Sequence, residues 1–207
     1  MSVAETSAAT REASPLRVVH DEGTIDLAAA ERAVADLLLA LGQDVGDEHL
    51  HETPRRVAAA YAELLTARPF DLTTFPNDEQ YDELVLCRDV PFHSLCQHHL
   101  LPFRGVVHIG YLPGERILGL SKLARVVELF SRRLQVQERL TMQIADWLQE
   151  QLHPKGVGVV IEAEHLCMSL RGVQAEGALT ATSALQGLLR DDPRCRAEFF
   201  ALVGHRS

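Results

Sequence analysis

Whatever fold this chain adopts must bring Cys96-Gln97-His98-His99 to the same point as His165-Leu166-Cys167, a segment ~70 positions further along. Cys96 and His99 are three apart, so one helical turn or tight loop aims a thiolate and an imidazole at a common centre. A third ligand has to come from elsewhere. His165 and Cys167 end an apolar, β-branched run that begins at Val157, and their two-residue spacing places both on one face of a predicted strand, so Cys167 can complete the set. Three protein ligands leave a fourth tetrahedral position for water, the arrangement of catalytic zinc, whereas structural zinc is usually closed by four. The plainer alternative is a set of buried thiols and a core histidine. It suits a lone C-x-x-H better than two half-sites with spare histidines.

Composition narrows the class. A chain of 207 residues that is 46% hydrophobic and 5% aromatic holds one domain with a sizeable core plus appendages. Four cysteines without a secretory leader read as reduced thiols and metal ligands in a cytoplasmic protein, not as a disulfide framework. No stretch approaches membrane-spanning length. A net charge of −9 without a basic stripe argues against nucleic acid as partner, so an anionic substrate would need a local basic pocket.

The chain divides into an N-terminal arm over 1–22, rich in Ala, Ser, Thr and charge, a helical region over 23–75, and a catalytic domain over 76–207. Asp26 is the predicted N-cap of a first helix that runs to Gly42; Thr53-Pro54 opens a second, with Tyr61 on its inner face, and Phe70 to Glu79 reads as a loop. Strands are predicted over Glu83 to Val90 and Phe103 to Tyr111, with a short returning strand at Ile117-Leu118. A helix capped by Ser121 and another ending at Pro154 follow. Val157 to Arg171 and Ala178 to Leu185 read as two antiparallel strands, before a terminal helix from Pro193 to Leu202. Blocks of strands and helices in this order indicate an α+β fold with helices packed on one face of an antiparallel sheet.

Three further groups carry possible chemistry. Ser121, Lys122 and Arg125 share a helix start, where amide groups and cations suit phosphate, although a capped, solvated helix is the commoner meaning of such a motif. Gln137-Glu138 sets an amide beside a carboxylate, a pair able to read a purine edge but also ordinary surface polarity. Arg171 follows His165 and Cys167 by even steps, so on an unbroken strand it would share their face and meet an anion near the metal; a simple salt bridge is its alternative.

The most specific stretches are Cys96 to His99, Gly119 to Arg125, Gln135 to Thr141, and His165 to Val173. Together they make the chain resemble GTP cyclohydrolase I over roughly Ile25 to Val203. The resemblance implies a zinc enzyme that converts GTP to dihydroneopterin triphosphate and formate. Cys96, His99 and Cys167 match the family's zinc ligands. His98 matches the residue proposed to protonate the imidazole nitrogen, His165 the second catalytic histidine, and Ser121 a proton donor in ribose opening. Gln137 and Glu138 match the guanine-reading pair, and Lys122, Arg125, Arg171 and Arg56 match residues that hold the triphosphate. The resemblance also implies a tunnelling fold with a four-stranded antiparallel sheet, and a homodecamer with active sites between subunits. It identifies no regulatory partner.

The chain departs from the family pattern at Gln97, usually glutamate, and this loss of charge is expected to leave nearby histidines less basic. Ala59 stands where some bacterial members have a phosphate-binding lysine, and Ala178-Leu179-Thr180-Ala181-Thr182 replaces the usual threonine run. Two rivals stand beside the main reading: a zinc-bearing paralogue that only binds, or stalls at the ring-opened formamidopyrimidine, and a tunnelling-fold nitrile reductase with Cys87 or Cys195 as nucleophile. Neither free cysteine lies in a recognisable nucleophile motif.

Overall fold

The computed structural model describes residues 17–18 and 23–204. Of the expected arm, only β1 (Arg17–Val18) falls among them, and it pairs antiparallel with β2 (Phe70–Asp71); the rest of 1–22 lies outside the described residues. Helix α1 (Leu27–Ala40) starts as predicted, with the Asp26 carboxylate accepting from the Ala29 amide at 2.9 Å. It gives way to Gly42, whose φ of +75° is the left-handed value that suits glycine after a helix. Helix α2 (Thr53–Leu64) has Pro54 in its first turn.

The stretch expected to be a loop from Phe70 contains β2 and also β3 (Thr74–Pro76), which pairs with β6 (Arg116–Leu118) across the register Thr74↔Leu118. Pairings of two or three residues are too short to show alternation in sequence, which is why they read as loop.

The main sheet is the antiparallel set β4 (Val85–Cys96), β5 (Pro102–Leu112), β8 (Gly156–His165) and β9 (Leu179–Gly187). A two-residue strand, β7 (Leu134–Gln135), runs parallel beside the end of β4. Helices α3 (Leu120–Ser131) and α4 (Gln137–Leu152) cover one face, as expected. Val107, Ile109 and Tyr111 of β5 and Val157, Val159 and Ile161 of β8 bury against Leu123, Val126 and Val127 of α3 and Leu140, Ile144 and Leu148 of α4. Removing one such leucine would leave a cavity worth about 2–5 kcal/mol.

The opposite face is partly covered too. After β8, α5 (Leu166–Ser169) makes one turn, and after β9 come α6 (Leu188–Asp191) and α7 (Pro193–Gly204). Phe199 of α7 is fully buried against the backbone of Gly110 and Gly158; a Cβ on Gly158 would lie 2.8 Å from its ring.

Three boundaries differ from expectation. The strand expected over Glu83 to Val90 runs on to Cys96, paired with β5. The strand predicted to continue to Arg171 stops at His165, because its neighbour β5 supplies partners only as far as Phe103, opposite His165, and Pro102. Unpaired, the chain closes its own bond from the Leu170 amide to the Leu166 carbonyl, 3.1 Å. Ser121 is not a cap: Gly119 occupies the cap position and Ser121 lies inside the first turn of α3.

Glu128 of α3 ties the segment after α2 to the domain. Its carboxylate accepts from Arg68 at 2.7 and 2.9 Å and from Arg125 at 3.0 Å. Its burial would raise the pKa, but the bonds from Arg68 and Arg125 prevail and bring it down to about 2. A depressed value means that the stabilisation is complete above the ordinary value of 4.5 and fades as pH falls towards about 2. Glu128→Gln should therefore melt lower than the parent at pH 7, by an amount on the order of 1 kcal/mol given the exposed Arg68 partner. Melting curves from pH 7 to 3 should show that gap narrowing below about 4.5; a gap independent of pH would remove the ion pairs as its cause.

Candidate active site

Cys96 is the last residue of β4, and the chain reverses over Gln97 to Leu100 before β5. The turn is closed by the Cys96 amide on Leu101 O (2.9 Å) and the Leu100 amide on Cys96 O (2.9 Å), with Leu100 at φ +55°. Two side chains from outside hold it. Tyr61 of α2 donates its hydroxyl to Leu100 O at 3.0 Å. Arg139 of α4 donates to Gln97 Oε1 (2.9 Å), Leu134 O (2.8 Å) and Gln135 Oε1 (2.8 Å).

This turn places His99 Nδ1 3.6 Å from Cys96 Sγ, with His98 Nδ1 at 3.9 Å. Cys167 enters from α5 and not from a strand face. The donor atoms of Cys96, His99 and Cys167 all lie within 4.8 Å of one another, a group that could hold a metal ion. Burial pushes the Cys167 thiol up, and the neighbouring Cys96 sulfur pushes it the same way. Two buried thiols facing each other need a cation before both can ionise.

His165 ends β8, half-buried, with its ring stacked on Phe103 at 4.7 Å and 2°. Burial lowers its pKa and the Glu138 carboxylate opposes that shift. Its Nε2 lies 2.7 Å from Gln137 Oε1. A cavity of about 300 Å³ opens here, lined by the three candidate ligands with His98, His165, Gln137 and Glu138.

The sequence did not foresee how two of these residues are used. Gln137 is 2% exposed, and the two hydrogens of its amide nitrogen are shared among Ile161 O, Thr180 O and Thr182 Oγ1. Gln97 turns its amide oxygen to Arg139, and the carboxylate acting on His165 is that of Glu138. Phe103, Tyr61 and Arg139 were missed as site residues. Arg139 stood within a motif already singled out, whereas Phe103 and Tyr61 gave no signal short of the tertiary fold.

Five expected residues are not among those lining the cavity: Ser121, Lys122, Arg125, Arg171 and Arg56. Helix α3 has 12 residues, about 18 Å in length. Its C-terminal end lies at the metal side, where Ser94 Oγ donates to Arg133 O, while its start is held at Thr73 O by the Gly119 amide. Ser121 and Lys122 therefore sit a helix length away from the thiols of the same chain. Arg171 does not share a strand face with Cys167, since Cys167 lies in α5 and Arg171 just beyond it, but its charge opposes the rise that burial and Cys96 impose on the Cys167 thiol.

A family model described as GTP cyclohydrolase I matches residues 30–204. The chain belongs to that family. A GTP cyclohydrolase 1 of Mycolicibacterium vanbaalenii is 53% identical over 183 residues, covering 86% of this chain and 91% of that protein. One of Aquifex aeolicus is 54% identical over 179 residues, covering 86% and 97%. One of Thermobifida fusca is 50% identical over 184 residues, covering 86% and 89%.

In this GTP cyclohydrolase I family member the metal turn depends on Arg139, so Arg139→Ala should cut metal retention roughly 10-fold. Gln97→Glu should hold it at least as well as the parent, because a carboxylate makes the stronger, charge-assisted bond to a guanidinium. Chelator titration with metal analysis on the purified variants measures both; unaltered retention in Arg139→Ala would mean the tether is dispensable.

Proposed function

We propose that this protein is a zinc-dependent GTP cyclohydrolase of the cytoplasm, hydrolysing the guanine imidazole ring of GTP at C8, releasing formate and yielding 7,8-dihydroneopterin triphosphate. The observation that carries the reading is the convergence of two thiols and an imidazole on a cavity that also presents two further histidines and a carboxylate, in a chain of this family. The donor set fits zinc. Tetrahedral bonds of about 2.3 Å to sulfur and 2.0–2.1 Å to nitrogen imply a separation of about 3.6 Å between them, and Cys96 Sγ and His99 Nδ1 are 3.6 Å apart. Soft thiolates favour zinc over magnesium or calcium. When bound, the metal supplies Lewis acidity and an activated water at neutral pH.

The residues divide the remaining work. His98 stands beside the cluster without being needed as a ligand, and it delivers the proton to the imidazole nitrogen as the ring opens. His165, its pKa lowered by burial, accepts and returns protons. Glu138 takes the donor edge of guanine. Lys122, Arg125, Arg171 and Arg56 hold the triphosphate, and Ser121 provides a proton for ribose opening.

Because Ser121 and Lys122 lie a helix length from the metal cluster of their own chain, they serve the cluster of a neighbouring subunit, which supports the homodecamer with shared sites. Helix α1 adds to that support: Leu27, Leu37, Leu39 and Leu41 are each more than half exposed. We take 23–75 as a helical assembly region and 76–207 as the catalytic domain. No helix among the described residues is long and apolar enough to cross a membrane.

Zinc-loaded protein incubated with GTP should release formate and, after oxidation and dephosphorylation, give neopterin fluorescence. GTP loss without formate would mean a halt at the ring-opened formamidopyrimidine, and no loss would mean a binding subunit. His98→Ala should keep its metal and lose product; a parallel loss of metal would make His98 a ligand. Glu138→Ala should weaken discrimination for guanine more than metal binding or assembly. Co-assembly of His98→Ala with Ser121→Ala subunits should restore turnover, whereas continued silence would place each site within one chain.

A further inference from the structure

We propose that Gln137 fixes the tautomer of His165 with its hydrogen on Nε2, leaving Nδ1 as the ring's acceptor nitrogen, and so acts as a positioning residue for that histidine and not as a contact to the purine. The inference rests on the cyclohydrolase reading above and specifies how one of its residues is made ready.

The argument turns on which way the Gln137 amide points. One end of it faces Ile161 O at 3.0 Å and Thr180 O at 2.8 Å, two main-chain carbonyls that can only accept. The NH2 must therefore be at that end. The reverse orientation would set three oxygens against one another in a site that is 2% exposed and leave both carbonyls without a donor from it. Thr182 makes the same choice. Thr141 Oγ1 donates to Gln137 main-chain O at 2.7 Å, so across its 2.6 Å contact with Thr182 Oγ1 it accepts, and Thr182 Oγ1 is left to accept from Gln137 Nε2 at 3.1 Å. Every hydrogen in the chain then has one direction.

The other end of the amide, Oε1, lies 2.7 Å from His165 Nε2 and can only accept, so Nε2 bears the hydrogen. That bond is the same whether the ring is neutral or protonated. The free lone pair of the ring is then at Nδ1, and the ring, stacked flat on Phe103, does not have to turn to present it. Thr180 and Thr182 of β9 thereby act on a histidine of β8 through a residue of α4. This gives the Thr180-Ala181-Thr182 segment a role in the site that its sequence alone did not disclose.

Two measurements test this on the metal-loaded enzyme. In ring-15N-histidine spectra at a pH where His165 is neutral, with His165→Asn used for assignment, the parent should show a protonated Nε2 and an unprotonated Nδ1. The opposite tautomer would overturn the proposal, and this result does not depend on whether GTP is turned over. In kinetics, Gln137→Leu should lower kcat roughly 10–100-fold, with KM for GTP and zinc content within about twofold of the parent. In the His165→Asn background the same change should cost no further activity, because its effect passes through that ring. A raised KM with unchanged kcat would return Gln137 to guanine recognition, and additive losses would separate it from His165. If Gln137→Leu does not fold, the tautomer in the parent enzyme decides. Absence of formate from the parent would sink the cyclohydrolase reading while leaving the ring assignment standing.

Discussion

One row of residues across three strands governs the site: Ser94 of β4 pairs with Phe103 of β5, which pairs with His165 of β8. Cys96 is two residues beyond Ser94 and Cys167 two beyond His165, so this register alone brings two sequence-distant thiols to the same end of the sheet. A slip of one residue in either ladder would turn the cysteine-bearing strand end to the opposite face and separate the donors. The register is itself held by burial. Val107, Ile109, Val159 and Ile161 lie on the face under α3 and α4, and each is fully buried, so any slip would expose that set to water.

The metal turn rests on the same frame but is reinforced from two directions, by Tyr61 through Leu100 O and by Arg139 through Gln97. Both attachments are hydrogen bonds from long side chains on helices, and each fixes a short loop whose own backbone includes a left-handed leucine. Such a loop would otherwise be among the least stable parts of the molecule. The glutamine at position 97 keeps the bond to Arg139 but without the charge a carboxylate would bring. Its consequence falls on the hold over the turn and leaves the basicity of His165 to burial and Glu138.

Where the sequence was legible, the signal was local and periodic. Asp26 before an apolar helix, Thr53-Pro54, and the alternating runs Glu83 to Val90 and Phe103 to Tyr111 each encode an element whose cause lies within a few residues. The same holds for Cys96, His99 and Cys167, since thiol and imidazole in paired clusters have few other uses. Failures came where the deciding partner was distant. The strand after Val157 ends because β5 runs out, which nothing between 157 and 171 announces. Ser121 has the residue type of a cap, but Gly119, anchored to Thr73 O, takes the cap position first. The surroundings of Gln137 were equally hidden, since Thr180 and Thr182 of β9 are over forty residues away in sequence.

Helix α3 sharpens the consequence of that geometry. Its C-terminal end helps form the metal side of the sheet, while its N-terminal turn, with Ser121 and Lys122, faces away at the other end. A net charge of −9 disfavours a free triphosphate in general. In the proposed reaction the cations that hold it must be gathered where the nucleotide lies, and those at the start of α3 lie away from the thiol cluster of the same chain. Arg125 adds a further condition, since Glu128 already holds one arm of its guanidinium and Arg68 competes for the same carboxylate. In the proposed role of Arg125 its remaining arm would meet phosphate oxygens without breaking that pair, so that anion binding and the anchoring of the segment after α2 would draw on one charged cluster.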